Sequence, residues 1–520
     1  MTLSGVDLAV IAGYAVSIFA LAQWVSREPG QHRKNAQDYF LASRALPWWA
    51  IGTSLIAANI SAEQIIGMSG SGYVIGLGIA SYEWMAALTL VIVGKYFLPI
   101  FLKNGIYTMP EFLERRFSGT VRTVMAIFWL GVYVFINLTS ILWLGATAVH
   151  TVTGLSVQSA LVALGSFAGA YALYGGLKAV ARTDIVQVSL LVLGGLIISY
   201  LALNRISHGA GVLAGFRELA TRHPDKFQMI LPRSSPNYKD LPGLSVLLGG
   251  MWVMNVSYWG FNQYIIQRAL GARSIREAQK GIILAAFLKL LMPVIIVLPG
   301  IAAVELAPHL SRPDAAYPNL MAMLPPGLLG LVFAALIAAI IASLGSKINS
   351  IATIFTMDVY RIWRPHTSQE RLVRIGRLAA VTALVVAILC ARPLLGSFDQ
   401  AFQYIQEFTG FFTPGICVIF LLGMFWEGCS ATGALVAAIA SAALSFGFKL
   451  FWPALPFMDR VGVVFLLCLA IAVALSLLQS PRHGEVRVEL RNIDYSTGAG
   501  FNVAALAVAA ILAALYATWW

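Results

Sequence analysis

Long apolar runs separated by short polar stretches dominate the pattern of this chain. Each run covers about 20 residues, enough for one helix to cross a hydrocarbon layer roughly 30 Å thick. About fourteen such runs fit into the chain, so the pattern predicts an all-α, polytopic membrane protein. The predicted spans are residues 6–25, 48–72, 76–101, 122–149, 156–179, 184–204, 242–268, 279–304, 326–357, 377–395, 399–425, 431–452, 458–479 and 501–519.

Two of these spans carry polar residues and glycine near their centres. The second contains Asn59-Ile-Ser-Ala-Glu-Gln64, and the seventh contains Asn255-Val-Ser-Tyr-Trp-Gly260. An odd offset between two similar spans reverses the direction of crossing, so residues 48–204 and 242–425 are predicted to form inverted five-helix repeats. Residues 431–519 are then peripheral helices of the same membrane domain, which covers residues 1–520. The alternative is glycine-assisted packing of continuous helices.

Broken helices at membrane depth predict a binding site. Exposed backbone is tolerated there only where it lines a cavity, and in inverted-repeat transporters the two breaks face each other around substrate and ion. We therefore expect the polar centres of the second and seventh spans to enclose one small polar chamber.

Charge indicates topology more than partners. Only 11% of residues are charged, and the formal charge of +12 comes from basic residues at span ends, which argues against nucleic acid as a partner. By the positive-inside rule the basic loops are cytoplasmic, which places both termini outside. The residues concerned are Arg27, Arg33, Lys34, Arg44, Lys103, Arg115, Arg116, Arg122, Lys178, Arg182, Arg268, Arg273, Arg276, Lys280, Arg361, Arg364, Arg371, Arg374 and Arg377.

Several function classes lose support from the residues that the sequence lacks. The four cysteines have no metal-ligand spacing, and the seven histidines fall near span ends or in loops. No phosphate-binding loop is present, which argues against ATP-driven transport within this chain. No nucleophile or paired catalytic carboxylates stand at membrane depth, so we expect no enzyme activity and no cofactor.

Ionisable and amide side chains in the middle of spans are the strongest functional candidates. Lys289 lies about ten residues, or about 15 Å, beyond the cytoplasmic start of its span, and a lysine there needs a polar cavity or a partner. A sugar needs fixed donors and acceptors around its ring edge and an aromatic face against its C–H surface. Interhelical bonding and interfacial anchoring are the ordinary alternatives. The candidates are Asn59, Gln64, Glu83, Asn255, Lys289 and Gln406 for the edge, and Tyr258 and Trp259 for the face.

A coupling cation would need oxygen ligands. Carbonyls freed by a helix break and a nearby hydroxyl are natural ligands for a hard cation. Ser343 and Ser346 in the ninth span are candidates, although serine inside a membrane helix is more often a packing residue.

Six segments between Asp38 and about Trp426 carry a family resemblance. They are Leu55-Ile-Ala-Ala-Asn-Ile-Ser-Ala-Glu-Gln64, Gly67-Met-Ser-Gly-Ser-Gly-Tyr73, Gly94-Lys-Tyr-Phe-Leu-Pro-Ile-Phe101, Tyr258-Trp-Gly-Phe-Asn-Gln-Tyr-Ile-Ile-Gln-Arg268, Ala285-Ala-Phe-Leu-Lys289 and Ala401-Phe-Gln-Tyr-Ile-Gln-Glu407. At these residues the chain closely resembles the solute:sodium symporter family, in particular its bacterial sugar-carrying members. The resemblance implies a fourteen-span protein of the bacterial cytoplasmic membrane with a ten-helix, 5+5, LeuT-like core. Such a protein imports a hexose, galactose-like or glucose-like, with sodium by alternating access.

The resemblance also implies roles for particular residues. Gln64, Glu83, Asn255, Lys289 and Gln406 would hydrogen-bond the sugar with Asn59 close by. Tyr258 would be the inner gate, and Met68 with Phe402 would close the outer side. Sodium would bind the carbonyls of Ala57, Ile60 and Ala339 and the hydroxyl of Ser343, with Asp184 near the ion's exit path.

Three positions depart from the family pattern. Ala86 replaces a serine of the sugar site, and Ala342 replaces the second sodium-binding hydroxyl. Lys347 replaces an apolar residue one turn beyond Ser343, and there an inward-pointing ammonium would repel or replace sodium. We expect this side chain instead to extend to the cytoplasmic interface, which would preserve sodium binding.

Other functions stay open at this point. A symporter of the same fold for proline, sialic acid, a carboxylate or another solute is one, and a proton-coupled or uncoupled sugar carrier is another. A membrane sensor that binds solute without transporting it is a third. Glu83 and Lys289 offset each other in charge, which favours a neutral ligand and hence a sugar.

Overall fold

The computed structural model describes residues 3–26, 46–310, 312–396, 401–479 and 488–520, without the side chains of residues 18, 19, 21–26 and 171–185. These residues form helices and loops, and an isolated backbone bridge pairs Leu46 with Ala272. The predicted basic residues Arg27, Arg33, Lys34 and Arg44 lie outside the described residues.

The helices follow the predicted spans in order along the chain. In the first half they are Gly5–Ser26, Trp48–Asn59, Glu63–Met68, Ser69–Val74, Leu77–Ala80, Ser81–Ile92, Val93–Phe97, Leu98–Lys103, Met109–Arg116, Gly119–Gly131, Val132–Leu138, Thr139–Thr153, Val157–Ile206, Val212–Arg222 and Pro224–Phe227. In the second half they are Leu244–Leu248, Gly250–Phe261, Gln263–Leu270, Ile275–Ile295, Val297–Leu306, Pro313–Ala315, Ala316–Met321, Leu328–Ile354, Phe355–Tyr360, Arg361–Trp363, Gln369–Leu395, Ala401–Thr409, Thr413–Phe425, Ala431–Phe451, Phe457–Leu478 and Ala499–Thr518.

Within the described residues, nine helices are long and apolar enough to cross a membrane. The pair Ala401–Thr409 and Thr413–Phe425, bent by 45°, adds a tenth candidate if it is one span. The protein is therefore an all-helical membrane protein, and the count of fourteen spans stays a prediction.

The structure has no loop where one is predicted between the fifth and sixth spans. The structure has one uninterrupted helix of 50 residues, Val157–Ile206, across this region. The predicted connection, residues 180–183, reads Val-Ala-Arg-Thr and contains neither proline nor glycine, so no strong helix breaker interrupts it. The charged residues that suggest a loop are compatible with helix.

The break in the second span lies where the polar sequence predicts it. The helix Trp48–Asn59 ends because Ile60 adopts extended backbone, with φ −70° and ψ 105°. The N–H of Ser61 then donates to Oε1 of Gln64 at 3.4 Å, and Ser61 Oγ donates to the same atom at 2.9 Å. The chain resumes as a wide π-helical turn, a form that recurs at functional sites.

The break in the seventh span is displaced from the predicted segment. Residues Asn255 to Gly260 are helical, and the backbone turns extended only at Asn262, with φ −84° and ψ 119°. Gly260 serves close packing, because a Cβ there would lie 2.8 Å from the ring of Phe97. At the true break the hydroxyl of Tyr133 donates to Asn262 Oδ1 and accepts from the N–H of Gln263 at 2.9 Å. A tyrosine side chain thus supplies bonds that the helix gives up.

Close helix packing brings the second span against the eighth. A Cβ on Gly52 would lie 2.7 Å from the carbonyl oxygen of Gly281, so only glycine permits this approach. Small residues at such crossings let two backbones approach closely in lipid. This crossing brings the break in the second span close to Lys289, which lies in the helix Ile275–Ile295 and bonds Asn59.

The long loop between the sixth and seventh spans covers one end of the second. Lys226 Nζ donates to the carbonyl of Val74 at 2.7 Å, and Asn237 Nδ2 donates to the same oxygen at 3.2 Å. Burial lowers the pKa of Lys226 from its ordinary value. These bonds satisfy a helix-end carbonyl that has no partner within its own helix.

Burial separates a core from a lipid-facing periphery. In the ninth span 83% of the apolar window is buried inside the protein, whereas the last span, Ala499–Thr518, buries only 11%. Lipid is the solvent for the exposed apolar surface, so the ninth span is central and the C-terminal helices are peripheral.

Candidate functional site

A small polar cavity lies between the break of the second span and the seventh span. Its open volume is about 90 Å³, several times the roughly 10–15 Å³ that one water requires. All eight predicted substrate residues line it, as do the predicted gate residues Met68 and Phe402. The eight are Asn59, Gln64, Glu83, Asn255, Tyr258, Trp259, Lys289 and Gln406.

Lys289 joins three spans at this cavity. Its ammonium donates to Oε2 of Glu83 on the third span and to Oδ1 of Asn59 at the end of the helix Trp48–Asn59. The Lys289 and Glu83 side chains are only 1% and 4% exposed, so the pair is withdrawn from lipid and water. The Nζ atom also lies 5.0 Å from the ring centroid of Trp259. Mutual neutralisation by close, hydrogen-bonded partners is what permits two such charges at membrane depth.

Tyr258 is held by hydrogen bonds on both sides. Asn59 Nδ2 donates to its hydroxyl at 2.9 Å, and the hydroxyl of Tyr264 donates to it at 2.7 Å. The amide of Asn59 therefore connects Lys289 to Tyr258. The break residue of one span and the aromatic residues of the seventh form one continuous polar network.

Aromatic rings and amides complete the wall of the cavity. Tyr258 and Trp259 meet edge to face with centroids 5.2 Å apart, and Phe402 meets Tyr82 in the same way at 5.3 Å. The amide nitrogen of Asn255 donates to the carbonyl of Met251 at 3.1 Å, so this bond does not use the amide oxygen of Asn255. The arrangement combines ring faces with amide edges, as polar-ligand sites do.

Glu63 is a cavity residue that the sequence reasoning missed. It lines the cavity next to Gln64, and Oε1 of Glu63 accepts from the hydroxyl of Ser140. The signal was present, because an ionisable residue stood inside the polar interruption itself. Tyr133, Asn137 and Asn262 also line the cavity and had no comparable local signal, because they lie outside both polar segments.

Glu407 follows Gln406 but belongs to a different surface. Its Oε1 accepts from Arg460 at 3.0 Å and lies 3.0 Å from Lys449 Nζ, both on C-terminal helices. Glu407 therefore ties the eleventh span to the peripheral helices and does not line the cavity.

Of the predicted cation ligands, Ser343 contacts the broken helix of the second span. The hydroxyl of Ser343 donates to the carbonyl of Ala58 at 3.2 Å, one residue beyond the predicted carbonyl of Ala57. Ala57, Ile60 and Ala339 are buried. Asp184 lies in the helix Val157–Ile206, but its side chain is outside the described residues, as are those of Lys178 and Arg182.

The expectation that Lys347 reaches the cytoplasmic interface is wrong. Its side chain is among the largest fully buried ones, and Nζ donates to Ser343 Oγ at 3.2 Å. The same atom lies 4.2 Å from the ring centroid of Tyr264. Because other helices surround most of the ninth span, the ammonium group cannot reach water and contacts a hydroxyl and an aromatic ring instead.

The other two departures have plain structural consequences. Ala86 and Ala342 are fully buried. Ala86 therefore offers no hydroxyl at the predicted sugar site, and Ala342 offers none at the predicted sodium site. Near Ala342, the hydroxyl of Ser346 donates to the Ala342 carbonyl at 2.7 Å and accepts from Arg268 at 2.5 Å. The other serine candidate for a cation is thus engaged with a guanidinium.

Buried polar groups at two broken membrane helices are typical of membrane transporters. A family model described as the sodium:solute symporter family matches residues 39–441. The chain belongs to this family. A sodium/glucose cotransporter of Vibrio parahaemolyticus is 48% identical over 537 residues, covering 100% of this chain and 99% of its own. The sodium/myo-inositol cotransporter 2 of Sus scrofa is 32% identical, covering 83% of this chain and 68% of its own.

Solved structures share the fold at low sequence identity. A substrate-bound, outward-open, sodium-coupled sialic acid symporter matches with a TM-score of 0.80 and 22% identity, covering 92% of this chain and 99% of its own. A transporter of the nucleobase–cation symport family matches with a TM-score of 0.56 and 14% identity, covering 89% of this chain and 100% of its own. These similarities show that the chain shares its fold with both proteins.

Proposed function

We propose that this protein imports a neutral hexose, galactose-like or glucose-like, together with sodium. The single observation that carries the sugar part is the cavity in which Lys289 and Glu83 neutralise each other beside Asn59. A charge pair that cancels, amide groups and an aromatic platform suit a hydroxyl-rich, uncharged ring. Family membership and the 48% identical sodium/glucose cotransporter support sodium as the coupling ion.

In this proposal the sugar replaces hydrogen bonds that join the cavity side chains to each other in the present structure. The open volume of about 90 Å³ has both apolar and polar side chains in its wall, and among the polar ones Asn59, Lys289 and Glu83 already bond each other. Hydroxyl groups of the sugar take over donors and acceptors of Lys289, Glu83 and Asn59, with Gln64, Asn255 and Gln406 around the ring. Buried polar groups then stay satisfied in both states, which favours the sugar over an apolar ligand of equal size.

Tyr258 acts as the inner gate in this proposal. Its hydroxyl bonds Asn59 and Tyr264, so moving the ring aside breaks two hydrogen bonds and opens the cavity on one side. Met68 and Phe402 close the other side, because both line the same cavity from the second and eleventh spans. Alternation between these barriers around a fixed site is the transport cycle.

Sodium is a co-transported substrate that binds near the first break. The proposed ligands are the carbonyls of Ala57, Ile60 and Ala339 with the hydroxyl of Ser343, and Asp184 stands near the exit path. One sodium crossing 100 mV releases about 2.3 kcal/mol, and a tenfold gradient adds about 1.4 kcal/mol. Together they allow several-hundred-fold accumulation of sugar at one ion per sugar.

The proposed architecture has fourteen spans in the bacterial cytoplasmic membrane with both termini outside. Residues 48–204 and 242–425 are the two inverted repeats of the core, and residues 431–519 are peripheral. The two helix breaks, after Asn59 and at Asn262, support this division, since each lies early in its repeat. Cysteine labelling from each side of sealed vesicles tests the orientation of the termini.

The second candidate is transport of a cyclic polyol. The relatives that are 32% identical are sodium/myo-inositol cotransporters, and such a ring is also neutral and rich in hydroxyls. Both candidates share the cavity chemistry, so competition distinguishes them. A sensor without transport ranks below both candidates, because the matching family model describes symporters.

The test is uptake of radiolabelled galactose, glucose and myo-inositol into proteoliposomes under a sodium gradient, a proton gradient or none. We expect hexose accumulation that requires the sodium gradient. Accumulation of myo-inositol alone would select the second candidate, and absence of uptake for all three would end the proposal. Uptake that ignores sodium but follows the proton gradient would end the sodium part.

A further inference from the structure

Lys347 stands at the place where a coupling cation is expected. It lies one helical turn beyond Ser343, and its Nζ atom donates to the Ser343 hydroxyl at 3.2 Å. That hydroxyl in turn donates to the carbonyl of Ala58, next to the break in the second span. An ammonium group thus uses the oxygen through which the ninth span meets the broken helix.

The local geometry is that of a cation site made of oxygen atoms. At the break the N–H of Ser61 bonds the Gln64 side chain, so the Ala57 carbonyl loses the donor that a continuous helix would supply. Freed carbonyls and a hydroxyl are ligands that a hard cation prefers. An ammonium group has the same charge as sodium and also seeks oxygen acceptors.

The charges around Lys347 leave little attraction for a second cation. The carboxylate of Glu63 attracts Lys347, and the guanidinium of Arg268 repels it. Arg268 is buried and fixed by Ser54, Ser346 and the Tyr264 carbonyl. A sodium ion at Ser343 would therefore be the third positive charge near one negative charge, in a medium where such interactions are strong.

We infer, on the basis of the sodium-coupled symport proposed above, that the ammonium of Lys347 is a tethered competitor of sodium at Ser343. Sodium binds when this ammonium leaves the Ser343 hydroxyl, and the face of the Tyr264 ring, 4.2 Å away, holds it beside the site. Lys347 thereby raises the sodium concentration that transport requires. Ala342 strengthens the effect because it offers sodium no second hydroxyl.

The test measures sugar uptake against sodium concentration at fixed pH for the natural protein and Lys347→Met. Methionine keeps a long unbranched side chain and removes the charge. We expect half-maximal uptake at a sodium concentration lower by about tenfold or more, because a like charge no longer opposes binding. Lys347→Arg keeps the charge, and we expect no decrease with it.

Lys280→Met is the matched control for the loss of one positive charge. Lys280 has a side chain that is 64% exposed at the start of the eighth span, and its Nζ atom lies 3.9 Å from Oε1 of Glu277 on the same helix. Its sodium curve should match that of the natural protein. If Lys280→Met lowered the sodium requirement as much as Lys347→Met, the loss of any positive charge would explain the effect, and the proposed competition would be refuted.

A binding measurement supports the inference even where transport of a variant is weak. Sodium that binds the folded protein raises its melting temperature by mass action, with choline as the control for ionic strength. The rise should begin at lower sodium for Lys347→Met than for the natural protein. An unchanged sodium curve in both uptake and melting overturns the inference, and so does loss of sodium stimulation in the variant alone.

Failure of the proposed function gives a different result. If the natural protein carries no sugar at any sodium concentration, the proposed function fails, while the melting curves still test the competition. If the natural protein carries sugar without any need for sodium, Lys347→Met decides between two readings. Newly acquired sodium dependence supports the ammonium as a full replacement of sodium, and continued indifference overturns the inference.

Discussion

Two buried lysines in this protein are accommodated in different ways. Lys289 and Lys347 lie on neighbouring spans and both are about 1% exposed. Lys289 touches the carboxylate of Glu83 directly, whereas Lys347 touches a hydroxyl and a ring and interacts with Glu63 without a hydrogen bond between the two in the described structure. The first charge is cancelled at the proposed sugar site, and the second remains at the proposed sodium site. A lysine at membrane depth thus indicates a site but not which kind of site.

Removal of the partner of Lys289 should have the largest effect. Glu83→Gln leaves a buried ammonium without its counter-charge, which costs about 3–5 kcal/mol for a broken buried pair. We expect a clear fall in melting temperature in detergent and loss of sugar uptake.

The double variant Glu83→Gln with Lys289→Met separates folding from binding. It removes both charges, so the melting temperature should return most of the way while uptake stays lost. A single variant as stable as the natural protein would show that the pair does not neutralise a buried charge, and the contrast with Lys347 would disappear.

The gate should be the next most sensitive point. Tyr258→Phe keeps the ring and removes the hydroxyl between Asn59 and Tyr264. Leaving two buried partners unpaired costs about 1–3 kcal/mol in the closed state. We expect faster efflux of preloaded sugar, measured by dilution of proteoliposomes. Phe128→Leu, which changes a cavity residue without a polar group, serves as the control, and equal efflux in the two variants would argue against the gate.

Restoration of a hydroxyl at the cation position sharpens the comparison further. Ala342→Ser in the Lys347→Met background adds one oxygen ligand where no ammonium competes. One added hydrogen-bonding group is worth about 0.5–1.5 kcal/mol, a further severalfold decrease in the sodium needed for half-maximal uptake. The same substitution with Lys347 present should shift the curve less. Equal shifts in the two backgrounds would mean that Lys347 and the added hydroxyl act at separate places.

A lysine in contact with water should have the smallest effect. Lys449 pairs with Glu407 at 3.0 Å, and its side chain is 46% exposed. Exposed pairs contribute about 0–1 kcal/mol, so Lys449→Gln should change melting temperature and uptake little. A loss comparable to that of Glu83→Gln would mean that the peripheral helices contribute to the cavity.

The sequence by itself determined the elements that depend on composition along one segment. The long apolar helices overlap the predicted spans in order along the chain, although Val157–Ile206 joins the fifth and sixth. The helix of the second span breaks at Asn59 to Ser61, as its polar residues indicate. Depth of Lys289 and Glu83 in their spans was also readable, because transfer from water to hydrocarbon is a property of the residues themselves. These signals, together with the family resemblance, were enough to propose a chamber between the second and seventh spans and to name ten of the side chains that line it.

Only the tertiary structure decided where neighbouring helices meet. Gly260 lies inside a helix and packs against Phe97, and the chain breaks at Asn262, where Tyr133 supplies replacement bonds. Lys347 points to Ser343 because surrounding helices separate it from water, which no periodicity along the ninth span reveals. Local sequence sets the cost of placing a polar group in the membrane, and the neighbouring helices determine how that cost is met.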